Sequence, residues 1–374
     1  VKNTTAVLVL LCAASLLPFP SPAAVGPAPK PAVEVAFVLD TTGSMGGLIQ
    51  GAKETIWGIA NRLVAADPSP DLRLGLVAYR DRGDQYVTRI ADLTGDIDRI
   101  HAILQEFRAE GGGDGPESVN LALQRAVADL SWSRDPSVLR IIFLVGDYPP
   151  HMDYAGEVRY PETCREAAQR GIVINTIQCG ENDETARHWR EIARLAEGRY
   201  VGMGQGGDVA TVATPWDGRL SQLNAELSAT VVTYGSAEKR EEAVGKLKAA
   251  AAAPATTRAD RLAFTAARET LVTGGGDLLD DLRTGAASLR SLPAKELPAE
   301  LAATPPEERE RWLAARAGRR DEIRREIADL VAKRRVFLED EARARAASGR
   351  ESGFDRWVGD TVREQGARKG IAYR

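Results

Sequence analysis

Cysteine and histidine are scarce in this chain of 374 residues, with three of each. Cys12 falls in an N-terminal apolar run, which leaves Cys164 and Cys179 as the one pair a disulfide could join. Any hydrolase reading must find its base among His101, His151 and His188. A dominant charge is missing as well. Lys and Arg number 49 against 53 Asp and Glu, a net charge of −4, and so near a balance gives no field for gripping nucleic acid. Beyond the N-terminus there is no long apolar run. A membrane-spanning helix needs about 20 such residues, so no span is expected in the mature chain.

The N-terminus carries a different pattern. Lys2 precedes an apolar stretch over 6–17, and small residues over 18–24 suit signal-peptidase cleavage near Ala23 or Ala24. Residues 1–24 therefore read as a secretory signal peptide and 25–32 as a linker, with the mature protein secreted or periplasmic. Cys12 does not read as a lipidation site, because Leu11 stands where a small residue is required. Val1 in place of Met is consistent with a bacterial alternative start codon.

At about 100–200 residues per domain, the length predicts one α/β domain and a smaller second unit. Short apolar runs at 33–40, 72–79, 139–146, 172–179 and 199–203 alternate with amphipathic stretches at 49–63, 96–107, 117–130, 161–170, 184–196 and 209–227. With a short edge run at 87–93, this predicts a doubly wound, mostly parallel six-stranded sheet with one antiparallel edge strand. The domain is expected over 33–234. Residues 235–374 shift to Ala, Arg and Glu with no strand pattern, and form a helical, charge-rich C-terminal region. Within it, Thr304, Pro305 and Glu307 read as a capped helix start, and Ile323, Ile327, Leu330 and Phe337 mark one face. Packing within the chain explains that face better than a coiled coil, and the charged faces read as solvated. Cys164 and Cys179 fall at the same end of an α/β layer, which is compatible with a disulfide and equally with two buried thiols.

Asp40, Thr42 and Ser44, in the run VAFVLDTTGSM, stand where an apolar strand gives way to a helix. One carboxylate and two hydroxyls at alternate positions of a tight turn can converge on one point. Hard oxygens of this kind suit Mg²⁺, which takes six oxygens at about 2.0–2.1 Å. A second carboxylate, Asp147, ends another apolar strand in IIFLVGD. In open parallel sheets the ligand crevice lies beyond the carboxyl ends of the strands at the topological switch point, so Asp40 and Asp147 should face the same ion. Two such carboxylates repel unless a cation sits with them.

The segments DTTGSM, GGGDGPE (111–117) and FLVGD resemble the three loops of the metal-ion-dependent adhesion site of von Willebrand factor type A domains, closest to the bacterial and hemicentin-like branch. The resemblance spans about 200 residues. It implies that Asp40, Thr42, Ser44 and Asp147 hold a divalent cation, Mg²⁺ or alternatively Mn²⁺ or Ca²⁺. In the second loop the usual threonine ligand is missing; Asp114 stands in the comparable stretch, with Glu117 as its competitor. It further implies a protein partner that presents an Asp or Glu carboxylate to the ion.

Other patterns in the sequence compete with this one. Thr42 to Gly46 approximates a GxSxG nucleophile elbow, but its first residue is Thr, and His101 and His188 fall in predicted helices as surface residues. His151 follows Asp147 in a loop over the crevice, where it reads as a local hydrogen bond more than as a contact to a partner or ligand. Gly202, Gly204 and Gly207 fit GxGxxG after the last strand, not the first, and read as a connecting loop. Tyr79, Arg80 and Asp81 read equally as a binding rim or a solvated turn with an Arg–Asp pair. The expectation is thus an exported binding module and not an enzyme. The alternatives are a metal-assisted or Ser44-dependent hydrolase and a structural subunit of a cell-envelope assembly.

Overall fold

Residues 33–39 and 139–145 are almost wholly apolar, and both segments lie in the middle of a sheet that is covered on both faces. The computed structural model describes residues 30–113, 115–205, 212–348 and 354–373. The elements run β1 (Ala32–Asp40), α1 (Gly46–Leu63), β2 (Asp71–Tyr79), β3 (Thr88–Thr94), α2 (Ile97–Glu106), α3 (Val119–Ala128), β4 (Leu139–Gly146), α4 (Tyr160–Gln169), β5 (Ile172–Cys179), α5 (Asp183–Leu195) and β6 (Tyr200–Met203). They continue with α6 (Asp217–Ser228), α7 (Ala237–Ala252), α8 (Ala255–Arg268), α9 (Leu278–Thr284), α10 (Ala299–Ala303), α11 (Pro306–Ala347) and α12 (Phe354–Ala367). The leader over 1–24, Cys12, Asp114 and Gly207 lie outside the described residues. No helix among the described residues is long and apolar enough to cross a membrane.

The strand order is β3-β2-β1-β4-β5-β6, with β3 antiparallel to β2 and every other pair parallel, as the alternation predicts. The connections after β1 and β4 wind away from each other, so the crevice between these strands opens at their carboxyl ends. Alternation along β1 divides its side chains: Val33, Val35, Phe37 and Leu39 face α1 and α2, while Ala36 and Val38 face α3, α4 and α5. The same division settles the thiols. Cys179 packs on the first face and Cys164 on the second, so the sheet stands between them and no disulfide joins them.

The C-terminal helices pack directly on the sheet domain. Lys246 of α7 is ion-paired with Asp96, and Arg261 of α8 with Asp98, at the start of α2. Trp57 of α1 meets Phe264 of α8 with ring centroids 5.5 Å apart. Helix α12 returns to the first face, where Val358 and Val362 join the core. Gln365 and Asn175 there exchange amide hydrogen bonds of 2.8 and 3.2 Å. Residues 31–374 form one compact unit.

The structure departs from the sequence pattern at several points. The helix expected at 209–227 begins at Asp217. Thr304 does not cap α11; its hydroxyl donates to the Glu300 carbonyl of α10 at 2.8 Å, and α11 starts at Pro306. Ile323 and Ile327 pack against Leu220, Leu223, Leu227 and Leu262, the intramolecular packing expected of that face. The charged side is not wholly solvated, because Arg320 and Arg334 are buried on Asp277 and Asp280 and on Asp217 and Asp260, respectively. His101 and His188, expected at the surface, are also buried: His101 lies beside Trp57, and His188 is 2.9 Å from the Tyr160 hydroxyl.

Candidate functional site

The apolar run of β1 ends on Asp40, which the sheet holds fully buried. Its Oδ1 accepts from the Thr42 backbone at 2.8 Å and from the Thr42 hydroxyl at 2.6 Å, so the turn orients the carboxylate. The Thr42 and Ser44 hydroxyls are 3.5 Å apart, and Ser44 faces solvent at the start of the helix turn. Residues 40, 42 and 44 therefore share one point, as the alternate spacing predicts.

Asp147 reaches the same place from β4. Gly146 makes this possible, because a Cβ there would lie 2.3 Å from the Tyr79 hydroxyl and 3.3 Å from Asp40 Oδ2. Asp147 Oδ2 accepts from Gln205 at 2.7 Å, and the Asp147 carbonyl accepts from Thr185 at 3.0 Å. Gln205 also donates to the Ser44 carbonyl at 3.3 Å, so this residue just after β6 serves the site. Sequence reasoning missed Gln205; a single amide in a connecting loop leaves no motif.

The second loop is laced to the first by Gly43 N–H to Gly111 O (3.2 Å) and Glu110 N–H to Thr41 O (3.1 Å). Gly111 and Gly112 take φ of 82° and 83°, which glycine adopts readily, and Asp84 accepts from the Gly112 N–H at 3.2 Å. Glu117 follows, with its side chain 1 % exposed. Its N–H donates to Pro149 O at 2.9 Å and its carbonyl accepts from His151 at 3.0 Å, which joins the second loop to the third.

Electrostatics set this cluster apart. Burial pushes Asp40 up to about 7; the Thr42 hydrogen bonds oppose that, and the nearby charge of Asp147 reinforces it. Glu117 is pushed up to about 9 by burial, and then by Asp40, Asp81, Asp84 and Asp147. Among the described residues, Asp40 Oδ2, Glu117 Oε2 and Asp147 Oδ1 are buried with no hydrogen-bond partner. Buried carboxylate oxygens left in this state are strongly unfavourable unless something positive meets them. The donor set of two carboxylates and two hydroxyls fits a hard divalent cation. No three His, Cys, Asp or Glu side chains among the described residues stand together at metal-holding spacing, so hydroxyls and water would complete the shell around Asp40 and Asp147.

The neighbouring residues brace the loops. Arg80 is buried, donating to Thr41 O at 3.2 Å and to Arg108 O at 2.8 Å, so the solvated Arg–Asp turn is not formed. Asp81 accepts from Ser118 at 2.8 Å and from Tyr154 at 2.6 Å. His151 lies 2.9 Å from Asp153, is stacked on Tyr154, and is 3.5 Å from Asp81. Its hydrogen bond is local, as expected of a loop histidine.

Residues 34–199 match the family model described as von Willebrand factor A domain. Human von Willebrand factor A domain-containing protein 7 is 40 % identical over 100 residues, 26 % of this chain and 10 % of that protein. The putative ariadne-like RING finger protein R811 of Acanthamoeba polyphaga mimivirus is 23 % identical over 185 residues, 45 % of this chain and 18 % of that protein. The alignments thus span less than a fifth of the length of these relatives. Similar solved structures include BatB from Bacteroides thetaiotaomicron, with TM-score 0.36 and 18 % identity, covering 46 % of this chain and 91 % of that one. The SpRpn10 VWA domain has TM-score 0.36 and 16 % identity, covering 46 % and 88 %. Together, the strand order and the family match make residues 34–199 a von Willebrand factor A domain, generally a protein-interaction module.

Proposed function

We propose that the domain binds a protein partner through a divalent cation held at the carboxyl ends of β1 and β4. The observation that carries this reading is the convergence of Asp40 Oδ2 and Asp147 Oδ1, both buried and without a hydrogen-bond partner, beside the hydroxyls of Thr42 and Ser44. Asp40, Thr42, Ser44 and Asp147 would hold the ion, with Asp114 or Glu117 contributing from the second loop. When bound, the cation, Mg²⁺ or alternatively Mn²⁺ or Ca²⁺, supplies a positive point for an Asp or Glu oxygen of the partner. Thr42 fixes the direction of Asp40, Gly146 lets Asp147 approach, and Gln205 ties the first loop to the third.

Binding fits the residues better than turnover. Ser44 has the Thr42 hydroxyl as its side-chain neighbour, while His101 and His188 are packed beneath the helices and His151 is committed to its own loop. We also read the chain as exported, on the pattern of residues 1–24.

Calorimetric titration with MgCl₂ tests the site. Uptake at one site is expected, weakened at least 10-fold in Asp40→Asn because the removed charge faces the ion directly. A pull-down from cell-envelope extract should lose its partner in EDTA. A folded wild-type chain that takes up no divalent cation would end this reading.

A further inference from the structure

We infer that Glu117 supplies the second-loop charge of this site, acting beside the ion as a buried carboxylate and lowering its attraction for acidic ligands. This deepens the reading above and rests on it. The backbone of Glu117 is held on both sides. Its N–H and carbonyl are pinned to Pro149 and His151, and Ser118 next to it bonds Arg80 O through its N–H (3.3 Å) and Asp81 through its hydroxyl (2.8 Å). The side chain is thereby directed into the space that Gly112 leaves open. A Cβ on Gly112 would lie 3.2 Å from Thr42 Cβ and 3.4 Å from Glu117 Oε1, so the Glu117 carboxyl borders the residue that orients Asp40. Its Oε2 has no hydrogen-bond partner, and among the described residues no Lys, Arg or His is ion-paired with Asp40, Glu117 or Asp147.

With a divalent ion bound, its opposite charge favours the ionised acids, so the ion faces three carboxylates, one more than its charge balances. The second-loop threonine of the resembling sites is neutral; glutamate at this position changes the electrostatics without changing the fold. No three acids among the described residues stand at metal-holding spacing, and the role assigned to Glu117 is through its field, not as one of the innermost ligands. The excess negative charge strengthens cation capture and weakens the pull on a carboxylate from outside.

Full-length wild type, Glu117→Gln, Asp114→Asn and Asp40→Asn should be titrated with MgCl₂, MnCl₂ and CaCl₂. Sodium acetate is then titrated into each cation-saturated protein. Glu117→Gln should weaken all three cations roughly 10-fold without changing their order, and should tighten acetate, as expected for one charge nearby. Equal cation and acetate binding in Glu117→Gln and wild type overturns the inference and leaves the metal reading intact. Loss confined to Asp114→Asn does the same, moving the charge to that residue. No cation uptake by wild type overturns both. If Glu117→Gln does not fold by circular dichroism, Glu117→Thr provides the same comparison.

Discussion

Replacing Arg261 by methionine tests whether the C-terminal helices are part of one cooperative unit with the sheet domain. Arg261 is 1 % exposed and meets both oxygens of Asp98 in α2, at 2.6 and 3.2 Å. It also donates to Leu271 O at 2.7 Å and Asn224 Oδ1 at 3.3 Å. Methionine keeps much of the aliphatic volume but leaves Asp98 buried and ionised against only the Thr273 N–H and hydroxyl, at 2.9 and 3.0 Å. Removing one partner of such a pair destabilises by about 3–5 kcal/mol. That is a large part of the roughly 5–15 kcal/mol that stabilises a typical domain. Urea titration followed by tryptophan fluorescence and by far-UV circular dichroism should give one coincident transition, shifted to lower urea in Arg261→Met. The double variant Asp98→Asn with Arg261→Met should recover more than half of the loss, because no unpaired charge remains. A loss below about 1 kcal/mol, or a variant in which only one of two separate transitions moves, would refute the reasoning.

Burial lowers His101 to about 4, against an ordinary value near 6.5. As pH falls below 6.5 the unfolded chain takes up a proton that the folded chain refuses until about 4, so stability is lost across that window, by about 3 kcal/mol. His101→Phe should flatten this part of the urea-midpoint profile between pH 7 and 4.5; an unchanged difference between those two values counts against it. Ending the chain after residue 353 removes Val358, Val362 and Ile371 from the core beside Phe143. At about 1.5–3 kcal/mol per buried side chain, the loss should be roughly 5 kcal/mol or more, with dye-binding apolar surface exposed. A truncated chain that melts with the full one would refute the placement of α12.

The sheet could be read from the sequence because its central strands are buried on both faces, which makes 33–39 and 139–145 almost continuously apolar. Asp40, Thr42 and Ser44 were visible for a similar reason: their alternate spacing falls within one short turn. Asp147 was visible because it ends a strand. What escaped depends on long-range pairing, which leaves no periodic trace. Arg261 and Asp98 are 163 positions apart, and the arginines of α8 and α11 look solvated until their carboxylates arrive from other helices. Cys164 and Cys179 fall at one end of a layer in sequence, yet the parity of strand and helix positions puts a sheet between them. The return of α12 carries no local signal either, since an amphipathic helix of 14 residues fits many surfaces.

Helix α1 begins at the oxygen-rich turn and is fastened at three points along its length, by the end of α2 and by α8. Lys53 donates to Phe107 O at 2.8 Å, Thr257 to Glu54 O at 3.1 Å, and Asn61 to Asp260 O at 2.8 Å. A rod anchored at successive points cannot ratchet along its own axis without breaking all of them together. A shift at the mouth of the sheet is therefore expected to bend the few residues between Asp40 and Gly47 before it slides the helix behind them.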